Sequence, residues 1–155
     1  MYRWPTACGG TAPFHFVYQV SSMSSPIQSV RVAIDLDGVL TEHPAPLAAA
    51  ANQRFKLDLP ERAFIDSAGL NVPLEVRQWV YSDQGPASRL LPSAQALEFV
   101  HGVINLFGMD QVMILTARPE QAAAMTRSWL DRNGFPATQV VFADDKLTEA
   151  MARNC

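Results

Sequence analysis

Cysteine is almost absent from this 155-residue chain: Cys8 and Cys155 stand at opposite ends and suggest no disulfide framework. That scarcity fits a reducing compartment, so a cytoplasmic location is expected. Charge is sparse as well, at 17% of residues with a net of −3. No broad basic field is available to neutralise phosphates, which argues against nucleic acid as a partner. Histidine is scarce: His15, His43 and His101 have no partners at metal-ligand spacing, and each is expected to be structural or exposed. No apolar stretch is long enough for a convincing signal peptide or a transmembrane helix, so no membrane partner is expected. What is present is 48% hydrophobic residues, a globular composition. One domain of this length buries roughly two-thirds of its unfolded surface.

The first 28 residues differ from the rest. Tyr2 to Gly10 is irregular, Phe14 to Tyr18 is a short aromatic run, and Ser21 to Ser29 is loop-like. This extension is expected to lie outside the core and to be disordered. Ser29 to Asp37 then reads as a strand. From Thr41 to Leu91 the pattern becomes helical, with stretches at Leu47 to Phe55, around Glu61 to Ala68, and at Pro73 to Tyr81, where Pro73 suits a first helical position. These residues read as a helical insertion.

Strand–helix alternation resumes after Leu91. Pro92 and Ser93 open a helix with Leu97, Val100 and Ile104 on its buried stripe, and Gly108 stops it. Gln111 to Thr116 is a buried-type strand. Pro119 starts the next helix, whose stripe is Ala122, Met125, Trp129 and Leu130. Gln139 to Phe142 is a third strand, and Lys146 to Met151 begins another helix. Three such repeats imply an α/β fold with an open, largely parallel sheet. Ligands bind beyond the carboxyl ends of the strands in such sheets, where Asp35, Asp37, Thr116 and Lys146 all fall.

The string Asp35-Leu36-Asp37-Gly38 ends the first apolar run, Val30 to Ile34. Two carboxylates two residues apart share a side if the strand continues through them, and they repel unless a cation intervenes. Hard oxygen ligands favour Mg²⁺, with Asp35 and Asp37 as its metal residues. An Asp-Gly surface turn is the plain alternative. An EF-hand loop is excluded, because Val39 and Pro46 occupy its fifth and twelfth positions, where an oxygen ligand and a Glu are required.

Phosphoryl transfer through a covalent intermediate needs a nucleophilic carboxylate, a positioned acid/base, donors on the transferring oxygens and cations. Asp35 suits the nucleophile and Asp37 the acid/base. Thr116 supplies a hydroxyl donor at a strand tip, and Lys146 can neutralise Asp35 and hold a phosphate oxygen. Each has an ordinary alternative: Thr116 a residue near a helix cap, Lys146 a solvated charge, Asp144-Asp145 a cap of the last helix. Arg118 could contact a phosphate, although an exposed salt bridge is its commoner role. The weight lies in order, since acid pair, hydroxyl and lysine each terminate a successive strand.

The pattern resembles the haloacid dehalogenase superfamily of phosphohydrolases over about residues 29–150. Ile34 to Leu40 is similar to its first motif, and Ile114-Leu115-Thr116-Ala117-Arg118-Pro119 to its second, in a form seen in nucleotidase-like members. The resemblance implies a Rossmann-like parallel sheet with helices on both faces, Mg²⁺ dependence and an aspartyl-phosphate intermediate. It implies a small phosphorylated metabolite or nucleotide as substrate and Lys146 as the third motif. Thr41 to Leu91 sits where the family carries a small helical cap, which makes Phe55, Phe64, Trp79, Tyr81 and Arg89 pocket candidates.

One departure stands out. The family's fourth motif, a further acidic pair that completes the Mg²⁺ site, has no counterpart after Lys146. The expectation is a core over 29–155 that is incomplete at its C-terminus, with weak Mg²⁺ binding, little turnover and a tendency to self-associate. Taking Asp144-Asp145 as that motif would leave no Lys for the third. Two rivals to an active hydrolase follow: a truncated, catalytically impaired domain of the same type, and a phospho-accepting receiver-type module. The second requires an acceptor Asp on an intermediate strand, and Asp58, Asp66 and Asp83 do not end apolar strands.

Overall fold

The computed structural model describes residues 30–155. The extension expected over residues 1–28, with Cys8 and His15, lies outside them. The described chain is a mixed α/β unit built on three parallel strands, Val32–Asp35 (β1), Val112–Thr116 (β2) and Gln139–Phe142 (β3), in the order β1-β2-β3. Five helices accompany them: Ala45–Phe55 (α1), Leu74–Val80 (α2), Ala96–Phe107 (α3), Ala123–Arg132 (α4) and Lys146–Ala152 (α5).

The central strand explains the sheet. All five residues of β2 are buried, as expected of a parallel strand between two neighbours. Ile34 pairs with Ile114 and Asp35 with Leu115 on one side of β2, while Leu115 pairs with Val141 and Thr116 with Phe142 on the other. Alternate residues of β2 then join different cores. Val112 and Ile114 pack with Ile34, Val100 of α3, and Trp129 and Leu130 of α4. Met113 and Leu115 pack with Val141 and, at their margin, with Ala33 and Ala150 of α5. Each such buried aliphatic side chain contributes about 1.5–3 kcal/mol.

Residues 41–91 form a third core of their own. Leu47 and Ala51 of α1 meet Phe64, Val76 and Val80, together with Tyr81 and Leu90. That core closes onto Ala122 and Met125, which follow the carboxyl end of β2. Trp129 fastens the same junction: its indole N–H donates to the Leu90 carbonyl at 2.7 Å while its ring stacks on Phe135. The stripe expected on the helix from Pro119, namely Ala122, Met125, Trp129 and Leu130, is buried throughout, but Ala122 lies in a 3-10 turn, Glu120–Ala122, and α4 itself begins at Ala123.

Three local expectations require correction. The strand expected to run through Asp37 stops at Asp35. The Leu36 carbonyl accepts from the Leu40 and Thr41 amides, at 2.9 and 3.2 Å, and the turn so formed needs Gly38 at φ 83°, which glycine adopts without a Cβ penalty. The helix expected from Pro92–Ser93 begins at Ala96, because Gln95 takes a left-handed conformation and Pro92 bridges to Thr41. Leu97, expected on the buried stripe of that helix, is exposed, whereas Val100 is fully buried.

Candidate functional site

The sheet delivers its chemistry-bearing residues to one end. Asp35 terminates β1, Thr116 terminates β2, and Lys146 opens α5 four residues after β3. Lys146 Nζ donates to Asp35 Oδ2 at 2.6 Å. The pair remains open to water, with side chains 37% and 35% exposed. Asp145, just before Lys146, caps α5: its carboxylate accepts from the Thr148 amide at 3.1 Å and from the Thr148 hydroxyl at 2.6 Å. Those bonds hold the Asp145 carboxyl below its ordinary range. Capping thus accounts for Asp145 locally.

Asp37 lives in another environment. Because the chain leaves the strand at Leu36, its side chain turns inward and is only 2% exposed. There it meets Arg118 in a two-point pair, Nε to Oδ2 at 2.9 Å and Nη2 to Oδ1 at 2.6 Å. The Ser67 hydroxyl donates to Oδ2 at 3.1 Å and the Thr41 hydroxyl to Oδ1 at 3.3 Å. Burial pushes the carboxyl pKa up, but the Arg118 charge and hydrogen bonds, with His43 and Ser67, outweigh it and leave it below the ordinary range.

Arg118 is itself held on every side. Its Nη1 donates to the Thr126 hydroxyl at 3.3 Å, its guanidinium lies 5.8 Å from the Tyr81 ring centroid, and its amide donates to Thr116 Oγ1 at 3.2 Å. The exposed salt bridge expected of Arg118 is therefore a buried one. Thr116 is fully buried, and its hydroxyl oxygen caps the Arg118 amide, which leaves the hydroxyl hydrogen to donate.

Two further titratable groups face this node. Burial and the Asp37 carboxylate push the Tyr81 phenol up to about 12. His43 is half-buried near Asp37. Burial lowers its pKa against the opposing pull of Asp37, and its Nε2 has no hydrogen-bond partner. His43, Ser67 and Thr41 carry no signal in the sequence for this position. Ser67 reaches Asp37 from 30 residues away, out of the helical segment. Arg118 had a signal in its closeness to Thr116.

The five pocket candidates separate. Phe64 is fully buried core, and Phe55 meets Trp79 edge-on at 5.5 Å. Trp79 and Arg89 line a groove of about 630 Å³ against α1, which contains none of the strand-tip residues. Tyr81 alone touches the Asp37–Arg118 node.

For Mg²⁺ the donor that the geometry leaves open is the Asp35 carboxylate oxygen not paired with Lys146, and the resemblance adds the main-chain carbonyl of Asp37. These are hard oxygens of the kind the ion takes when it keeps several waters and one or two protein ligands. The Asp37 carboxylate is committed to Arg118 through both oxygens. Among the described residues no group of three or more His, Cys, Asp or Glu could hold a metal ion. Nor, among them, is any helix long and apolar enough to cross a membrane. No family model, curated protein or solved structure matches the chain.

Proposed function

We propose that the chain is a phosphomonoester hydrolase of the haloacid dehalogenase type, acting on a small phosphorylated metabolite or nucleotide through a phosphorylated aspartate. The observation that carries the proposal is the Lys146–Asp35 pair, a water-reachable carboxylate at a strand tip held by a lysine 111 residues away at 2.6 Å. In this reading Asp35 attacks phosphorus and expels the ester oxygen. Lys146 then shifts toward the phosphate oxygens as the Asp35 charge is consumed. The Thr116 hydroxyl donates to another of those oxygens. Asp37, held ionised by Arg118, must first take up a proton as Arg118 lets go of it; it then protonates the leaving oxygen and later recovers the proton from the water that attacks the acyl phosphate. For that exchange Arg118 must pass part of its hydrogen bonding from Asp37 to the incoming phosphate, which a five-donor guanidinium permits. Held by Asp35 and the Asp37 carbonyl, Mg²⁺ would supply charge neutralisation at the phosphoryl group.

The same reading takes the sheet as part of a Rossmann-like core with helices on both faces. The packing of α3 and α4 on Ile34 and Ile114, and of α5 on Met113 and Leu115, supports it. Residues 41–91 serve as a cap that excludes water during transfer, a role supported by their closure onto Ala122 and Met125. A cytoplasmic location belongs to the proposal. A catalytically impaired domain of the same type is the second reading, favoured by the commitment of both Asp37 oxygens to Arg118. Release of nitrophenol from p-nitrophenyl phosphate with Mg²⁺ separates the two. The hydrolase turns it over and the Asp35→Asn variant does not. A folded chain that binds phosphate without turnover is the impaired domain.

A further inference from the structure

A second groove, of about 790 Å³, runs between α2 and the loops that follow β2 and β3. Tyr81 joins it to the Asp37–Arg118 node, since that ring lines the groove and lies under the Arg118 guanidinium at 5.8 Å. Pro119, the residue after Arg118, lines it as well, as does Asp144, two positions before Lys146 in the chain; Asp35, Thr116 and Lys146 themselves do not line it. On the hydrolase reading, this groove is the space next to the Asp37–Arg118 node, through Tyr81, into which the organic group of a phosphate at the strand tips can extend. The volume lies within the usual range for small-molecule sites and is ample for a nucleoside.

The lining sets the chemistry of that group. Gln78, Gln121 and Ser82 offer neutral donors and acceptors that suit hydroxyls, amides or a base edge. The charges are unbalanced: Asp83, Glu120 and Asp144 stand against Arg77 alone. Arg77 is partly spent, because its Nη2 reaches the Ser67 carbonyl at 3.4 Å. A second anionic group on the substrate would meet this excess of carboxylates beyond the first phosphate. Discrimination by like charge of this kind acts against the wrong ligand rather than for the right one.

Building on the hydrolase reading, we propose that the groove selects phosphomonoesters whose organic part is polar and uncharged or cationic, and rejects those carrying a second phosphate or a carboxylate. Glu120 and Asp144 are the specificity-determining residues.

The test is calorimetric titration of the full chain carrying Asp35→Asn, which blocks turnover, with Mg²⁺ present. The probes are inorganic phosphate, a nucleoside 5′-monophosphate, the matching 5′-diphosphate and 2-phosphoglycolate. The monophosphate should bind about tenfold or more tightly than the diphosphate or phosphoglycolate at low salt, and the gap should shrink at about 1 M salt as the carboxylates are screened. The Glu120→Gln/Asp144→Asn double variant should narrow the gap to about threefold or less, because the opposing charges are removed. Phosphate binding without this ranking, or a ranking untouched by the double variant, overturns the assignment while leaving the hydrolase reading intact. A folded chain that binds neither phosphate nor any ester overturns both.

Discussion

Asp35 and Asp37 stand two residues apart, and each meets one cation, yet the two pairs are built for opposite ends. The Asp35–Lys146 pair is about one-third exposed on both sides and depends on a single 2.6 Å contact made by a flexible lysine. An ion pair of that kind contributes about 0–1 kcal/mol and rearranges readily. The Asp37–Arg118 pair is excluded from water, closed at two points, and buttressed by Ser67, Thr41 and Thr126. One turn at Leu36–Gly38 separates the two environments. The exposed pair is suited to changing partners readily, whereas the buried pair holds the insertion, the β1 turn and the β2 loop in register until an incoming phosphate draws Arg118 off Asp37.

The contrast breaks first on activity. In a chain that turns over p-nitrophenyl phosphate, Asp35→Asn should abolish the reaction, while Asp37→Asn should slow it by about two to four powers of ten, the usual worth of acid–base help. Equal losses from both would erase the distinction between them.

Stability should show the reverse order. Arg118→Met leaves a buried carboxylate without its partner and should cost about 3–5 kcal/mol in denaturant unfolding. Ser67→Ala removes one charge-assisted hydrogen bond and should cost about 1.5–3 kcal/mol. Lys146→Met should change stability by less than about 1 kcal/mol. A Lys146→Met cost as large as that of Arg118→Met would contradict the account of the exposed pair.

Asp37 has a folded pKa below its unfolded value. Its contribution is therefore present above the ordinary carboxylate range, about pH 4, and is lost as pH falls through the depressed folded value. His43 also has a folded pKa below its unfolded value, so protonation favours the unfolded chain and stability declines as pH falls below about 6.5. Tyr81 acts at the other limit. Its folded pKa is raised to about 12 from 10.0, so stability should fall as pH rises above 10, where the unfolded chain loses its proton first. Tyr81→Phe should remove that alkaline decline in the denaturant midpoint, and an unchanged decline would place its origin elsewhere.

These differences also mark how far the sequence speaks. The apolar runs ending at Ile34, Thr116 and Phe142, with Pro and Gly as punctuation, made the three strands and their common carboxyl end legible, because a buried parallel strand carries a continuous local signal. Lys146 meets Asp35 as the order of strand ends suggested. The inward turn of Asp37 was not legible, since it depends on the Leu36 carbonyl closing on Leu40 and Thr41 rather than on β2. Ser67 comes from a segment whose packing is tertiary, with no local periodicity that aims it at Asp37, whereas Tyr81 is among the pocket candidates and is the one of the five that reaches the Asp37–Arg118 pair. The burial of Arg118 is not legible either, because an arginine alone in sequence is most often exposed and only the buried partner makes it otherwise.

Magnesium binding follows from the same commitment of Asp37. With a single carboxylate and a carbonyl as donors, calorimetric titration should find weak Mg²⁺ binding that tightens when phosphate is added. Tight binding without phosphate would require a carboxylate other than Asp35 at the ion, which Asp144→Asn and Asp145→Asn would test.

The central claim is that Asp35, the water-reachable member of the acid pair, carries the phosphoryl group. It is tested most directly by acid-quenching the chain during reaction with a phosphorus-32-labelled phosphomonoester and mapping the label by peptide mass analysis. Label is expected on the peptide that contains Asp35, lost on treatment with hydroxylamine and absent from Asp35→Asn. Label on any other residue, or turnover that persists in a folded Asp35→Asn chain, would contradict it.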